Sequence, residues 1–127
     1  MKTEVSLAIE ELKLQFFTSS LDVQEDGQGG AYVVMEPVNI GMKFQPSCTW
    51  LGFQLTAQYP YADIYPVFMG ADIKRIDGVE FVAPVTRGHQ FRGKQAIQIS
   101  RRSGAAQNGS QKAVAKILKV LDFLEKL

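Results

Sequence analysis

The chain has 127 residues, 46% hydrophobic and 21% charged, the proportions of one globular domain with a full core rather than of a disordered segment. Fourteen basic against thirteen acidic residues leave a formal net charge of +1, so no global field selects nucleic acid or an anionic membrane. The single Cys excludes an internal disulfide, and with the single His it cannot complete the usual zinc ligand set, so no metal or other cofactor is expected.

No apolar run approaches the roughly 18 residues of a membrane span. The opening Met1-Lys-Thr-Glu-Val-Ser6 lacks a secretory apolar core. A cytoplasmic location without a membrane partner is the expectation. Apolar residues then recur at Val5, Ala8, Ile9, Leu12 and Phe16, which lines one face of a helix ending near Thr18-Ser19-Ser20. Leu21 to Glu25 reads as a first strand, and Asp26-Gly27-Gln28-Gly29-Gly30 as a turn. That glycine cluster invites a phosphate-loop reading, but neither a helix nor a Lys-Ser/Thr pair follows it.

Ala31 to Phe44 is rich in β-branched and aromatic residues, with Pro37 marking an edge or bulge. After a turn at Gln45-Pro46-Ser47, the partial alternation of Trp50, Leu51, Phe53 and Leu55 predicts a strand that Tyr59-Pro60 must end. Cys48 precedes that strand and is expected to be buried and unreactive. From Tyr59 to Pro66, two prolines and three tyrosines predict a rigid extended segment plastered on a sheet, leading into a strand at Phe68. Trp50, Phe53, Tyr59 and Phe68 are the expected buried anchors.

Gly70 to Gly78 is turn-rich, Val79 to Val85 suits a short extended piece, and Thr86 to Lys94 reads as a polar loop. Ala96 to Ile99 is short and apolar, and Ser100-Arg101-Arg102-Ser103-Gly104 opens another loop. The last element is a helix with Val114, Ile117, Leu118, Leu121 and Leu124 on its apolar face, Lys112, Lys116 and Lys119 on a solvated one, and Asn108 or Ser110 as cap. The predicted fold is α+β: one domain, residues 1–127, with an antiparallel meander of about four strands between an N-terminal and a C-terminal helix.

An apolar strand, then Tyr59-Pro60, then an extended stretch through Pro66 to Phe68 resembles the ubiquitin-conjugating enzyme family, and the order of helix, meander, irregular segment and closing helix matches its core. The resemblance implies a place in a ubiquitin-like conjugation pathway, a bacterial one, beside an activating enzyme and a ubiquitin-like protein. It also shows departures. The family's Pro-Pro pair is reduced to Pro66, and Gly93-Lys-Gln-Ala-Ile-Gln-Ile99 resembles its Gly-x-x-Cys-Leu approach with Ala96 or Ile97 in the nucleophile's place. His89 is followed by Gln90, unlike the family's His-Pro-Asn. The expectation is therefore a non-catalytic partner or adaptor, with enzymatic status open.

Two alternatives stand beside it. Ser100 or Ser103 could accept an acyl group as an oxyester with His89 as base. Arg87, Arg92, Arg101 and Arg102, with Lys94, concentrate positive charge within sixteen residues, a pattern suited to a partner's carboxylates or to phosphates. The second alternative is therefore a small binding module whose basic loop grips nucleic acid or an acidic protein. Apart from Phe91, no aromatic interleaves the basic residues, which disfavours a single-strand nucleic-acid platform. The loop from Arg87 to Ser103 is the expected working surface.

Overall fold

A computed structural model describes residues 1–102 and 112–127. The elements run α1 (Thr3–Gln15), β1 (Ser20–Glu25), β2 (Ala31–Asn39), β3 (Phe44–Gln45), β4 (Cys48–Leu55), β5 (Val67–Gly70), β6 (Lys74–Arg75), β7 (Val85–Phe91), β8 (Lys94–Ile99) and α2 (Ala113–Glu125). The expected α+β architecture with a helix at each end and an antiparallel sheet is present, but the main sheet has six strands rather than four, in the order β1-β2-β4-β5-β8-β7. The two additional strands come from Thr86 to Ile99, read above as mostly loop. Short β3 and β6 pair separately, Phe44 opposite Arg75.

Period-two side-chain alternation divides the sheet into two faces. Val33 opposite Phe53, Met35 opposite Leu51, Leu51 opposite Met69, Met69 opposite Ile97, and Ile99 opposite Val85 form buried rows on one face. Val5, Ala8, Ile9 and Leu12 of α1 and Ala113, Ile117, Val120 and Leu124 of α2 join these rows in a single core. Each helix thus buries one stripe against the apolar side chains of this face.

The opposite face is covered by the chain itself. The ladder of β7 with β8 is irregular between Thr86 and His89, and an irregularity of this kind bends a strand and re-aims its side chains. At the tip, Arg92 (φ 52°) and Gly93 (φ 83°) form the two-residue turn, with both central residues left-handed as a tight hairpin requires. The hairpin end lies over the sheet: the Phe91 ring stacks on Phe68 at 4.9 Å and Trp50 at 6.3 Å, and meets Tyr32 edge-on at 6.3 Å. Arg92 reaches β1, where its Nη2 donates to Gln24 Oε1 at 2.5 Å. Gly52 makes this possible, because a Cβ there would lie 2.5 Å from the Phe91 ring.

Of the expected anchors, Phe53 and Tyr59 are buried, whereas Trp50 and Phe68 are only half-buried. The last two belong to the face under the hairpin, which covers less completely than a helix layer does. Cys48, at the start of β4, is exposed rather than buried. The apolar stripe of α2 is also rotated from the expected one: Lys116 is buried, while Leu118 is exposed. Asn108 and Ser110, the expected caps of α2, lie outside the described residues.

Candidate interaction surface

The turn-forming tendency of Gln58 to Pro66 produces a packed corner against α2. Tyr59 turns its hydroxyl to accept the Ala113 amide at 3.0 Å, which satisfies one of the unpaired N–H groups that every helix start leaves. Burial raises the Tyr59 pKa above that of an ordinary phenol, the Ala113 amide opposing it. One turn along α2, Lys116 Nζ lies 3.2 Å from Asp63 Oδ1 and donates to the Arg101 carbonyl at 2.7 Å. Burial lowers the Lys116 pKa, while the hydrogen bond and charge of Asp63 oppose that shift. Buried ammonium groups are tolerated only with such partners. The pair ties the proline segment, the end of β8 and α2 together.

Outside this knot the side chains are aromatic and basic. The Arg102 guanidinium lies 3.8 Å from the Tyr65 ring centroid and the Arg101 guanidinium 4.7 Å from that of Phe123. Tyr61 is 80% exposed and Tyr65 37%. Stacking on an aromatic face holds a guanidinium plane while leaving its N–H edges free to bond outward. The result is a patch in which Tyr65 supports Arg102 and Phe123 supports Arg101, with Tyr61 exposed on the same proline segment. Pro60 and Pro66 bracket the segment that carries the tyrosines, fixing φ at both ends.

The structure does not gather the other residues expected of the site. Arg87 donates to the Ala71 and Ile73 carbonyls at 3.1 and 2.7 Å and lies over Phe81. Arg92 lies 4.2 Å over Tyr32 at the far side of the sheet, and Lys94 is 5.6 Å over Trp50. The cluster of basic residues in sequence is thus divided among three places, and two of its arginines hold the fold. What was read as a loop from Arg87 to Ser103 is largely a strand pair, because its exposed polar side chains sit on the outward side of an edge hairpin.

His89 and Ser100 are likewise engaged separately. His89 Nε2 lies 2.9 Å from Thr86 Oγ1. Ser100 Oγ accepts from the Gln98 amide at 2.6 Å. Gln98 is the residue opposite Thr86, and a strand rise of about 3.3 Å per residue places Ser100 roughly 7 Å further along. A proton transfer from Ser100 to His89 therefore needs rearrangement of both side chains. Ser103 lies outside the described residues.

Comparison of the chain with protein-family models, curated proteins and solved structures finds no match. Among the described residues no group of three or more His, Cys, Asp or Glu could hold a metal ion, and no helix is long and apolar enough to cross a membrane. The glycine turn is occupied by its own acid: Asp26 Oδ1 accepts the Gln28 and Gly30 amides at 2.8 and 2.9 Å, and Oδ2 accepts from Gln54 at 3.0 Å. The Gln28 amide chiefly, then Gln54 and Gly30, lower the Asp26 pKa. A carboxylate already bound to these amides opposes a phosphate there.

Sequence reasoning missed the tyrosine–arginine pairing because Tyr65 and Arg102 are 37 positions apart. It missed Lys116 because the residue type outweighed its position. Lys116 is three residues after Ala113 and four before Val120, so the helical period alone places it on the buried stripe.

Proposed function

We propose that this protein is a non-catalytic, ubiquitin-conjugating-enzyme-like partner in a bacterial ubiquitin-like conjugation pathway, binding a ubiquitin-like protein through Tyr61, Tyr65, Arg101 and Arg102. The observation that carries this reading is the stacking of Arg102 on Tyr65 and of Arg101 on Phe123 beside the ordered Tyr59–Pro66 segment. Exposed Tyr and Arg held in place before binding are the side chains that most often dominate protein interfaces, since little freedom remains to be lost. Their donors suit carboxylates on the partner. The order of elements supports the family part of the reading: α1 precedes an antiparallel run of β1, β2, β4 and β5, Tyr59-Pro60 follows the third of these, and Phe68 lies in the fourth. The separate engagement of His89 and Ser100 favours a binding role over oxyester transfer.

The test is reconstitution with a bacterial ubiquitin-like protein and its activating enzyme. Arg101→Glu with Arg102→Glu should weaken association at least tenfold, with a larger effect at low salt, while Ser100→Ala and His89→Ala bind as the unaltered chain does. Unchanged affinity of the double reversal, in a variant whose circular dichroism shows it folded, would refute the assignment. A thiol-resistant, hydroxide-labile adduct lost on Ser100→Ala or Ser103→Ala would establish oxyester transfer in its place.

A further inference from the structure

The outer surface of the two helices carries a second feature, independent of the tyrosine–arginine patch. Leu7 and Leu14 are two helical turns apart on the side of α1 away from the core, and they are 59% and 79% exposed. Leu118 of α2 is 43% exposed. Between the helices runs an open groove of about 550 Å³, with Glu11 and Leu14 on the α1 wall and Lys112, Val114 and Leu118 on the α2 wall. One wall thus presents an acid beside a leucine, and the other presents a base beside a leucine.

We infer that this groove is a homodimer interface, in which a second copy packs about a two-fold axis running along the groove. Rotation by half a turn about such an axis places α1 of each copy over α2 of the other. Glu11 then faces the second copy's Lys112, and Leu14 faces its Leu118, with each contact made twice. An isologous interface requires this self-complementarity of charge and of apolar surface. A heterologous ligand has no need of walls that are each other's complement. The leucines supply the apolar centre, and the charged pairs at the rim set the register.

The experiment is sedimentation equilibrium of the full chain over a range of concentrations, with charge-reversal variants. The unaltered chain should show the mass of two copies. Glu11→Lys alone brings like charges together at both rim contacts, as does Lys112→Glu alone, and each should weaken dimerisation roughly tenfold or more. Mixing the two variants in equal amounts restores opposite charges at both contacts and should restore the dimer, which no effect on the folding of either variant can imitate. Leu14→Glu should abolish association with the circular dichroism spectrum retained. A monomeric unaltered chain, a dimer insensitive to both reversals, or a mixture that remains as weak as its components would overturn the inference.

Discussion

The contact of Phe91 with Gly52 can be tested quantitatively by a double-mutant cycle. In Gly52→Ala the new Cβ would meet Phe91 Cδ2 at 2.5 Å and Cε2 at 2.6 Å, with Trp50 Cζ3 at 2.9 Å. Ordinary carbon contacts are about 3.5–4.0 Å, so the Phe91 ring must retreat by about 1 Å and open its stack on Phe68. Overpacking of this kind costs about 1–3 kcal/mol. Phe91→Ala removes a ring that is only 8% exposed and should cost about 3–4 kcal/mol. In the double variant the ring that the methyl group strikes is gone, leaving only the Trp50 contact. Its total should therefore approach that of Phe91→Ala alone, a coupling of about 1–2 kcal/mol. Urea titration followed by far-ultraviolet circular dichroism measures all three. Costs that add to within about 0.5 kcal/mol would show that the hairpin does not rest on Gly52 as described.

Substitutions at Lys116, Tyr59 and Cys48 test the packed corner and the exposed thiol. Lys116→Met should cost about 2–4 kcal/mol, since Asp63 loses its ammonium neighbour while partly buried, and adding Asp63→Asn should recover part of that loss in the same titration. Because the native Lys116 pKa is lowered, the unfolded chain holds more protons just below pH 10.5, so this residue's burial cost shrinks as pH rises toward that value; Lys116→Met should remove that slope. Tyr59→Phe should cost about 1–2 kcal/mol by leaving the Ala113 amide without its acceptor. The raised Tyr59 pKa means that the native state keeps a proton the unfolded state releases above pH 10.0, a source of lost stability in alkali that Tyr59→Phe should abolish. Cys48→Ser should shift stability by less than about 0.5 kcal/mol, and the exposed thiol should react stoichiometrically with a maleimide in the native protein; a thiol that reacts only in denaturant would refute the exposure.

The helices and the central strands were legible because their burial is strongly periodic. Val5, Ala8, Ile9 and Leu12 name the face of α1, and Leu51, Phe53 and Leu55 name that of β4. The hairpin of β7 and β8 was not legible by the same rule. Thr86, Arg87, Gly88, His89 and Gln90 contribute no apolar alternation, since β7 is an edge strand with an irregular ladder and its buried residues are the two at its ends, Val85 and Phe91. Its signal was the pair Arg92-Gly93 between Phe91 and Lys94, a two-residue turn whose second position is glycine. The candidate surface was half legible: Arg101 and Arg102 were named, but their aromatic supports come from distant parts of the chain.

The strand order also carries information about assembly. Residues 85–99 pair with one another as a hairpin whose backbone ladder to the rest of the sheet runs through β8 alone, along Val67 to Gly70, with Phe91 and Arg92 adding side-chain contacts. A hairpin with so tight a turn can form locally in about 1–10 μs, whereas docking it requires β5 to be in place. Native-state hydrogen exchange should therefore resolve two units. The amides of β7 should exchange through an opening that detaches the hairpin while β2 and β4 remain paired, and those of β2 and β4 only through unfolding of the whole domain.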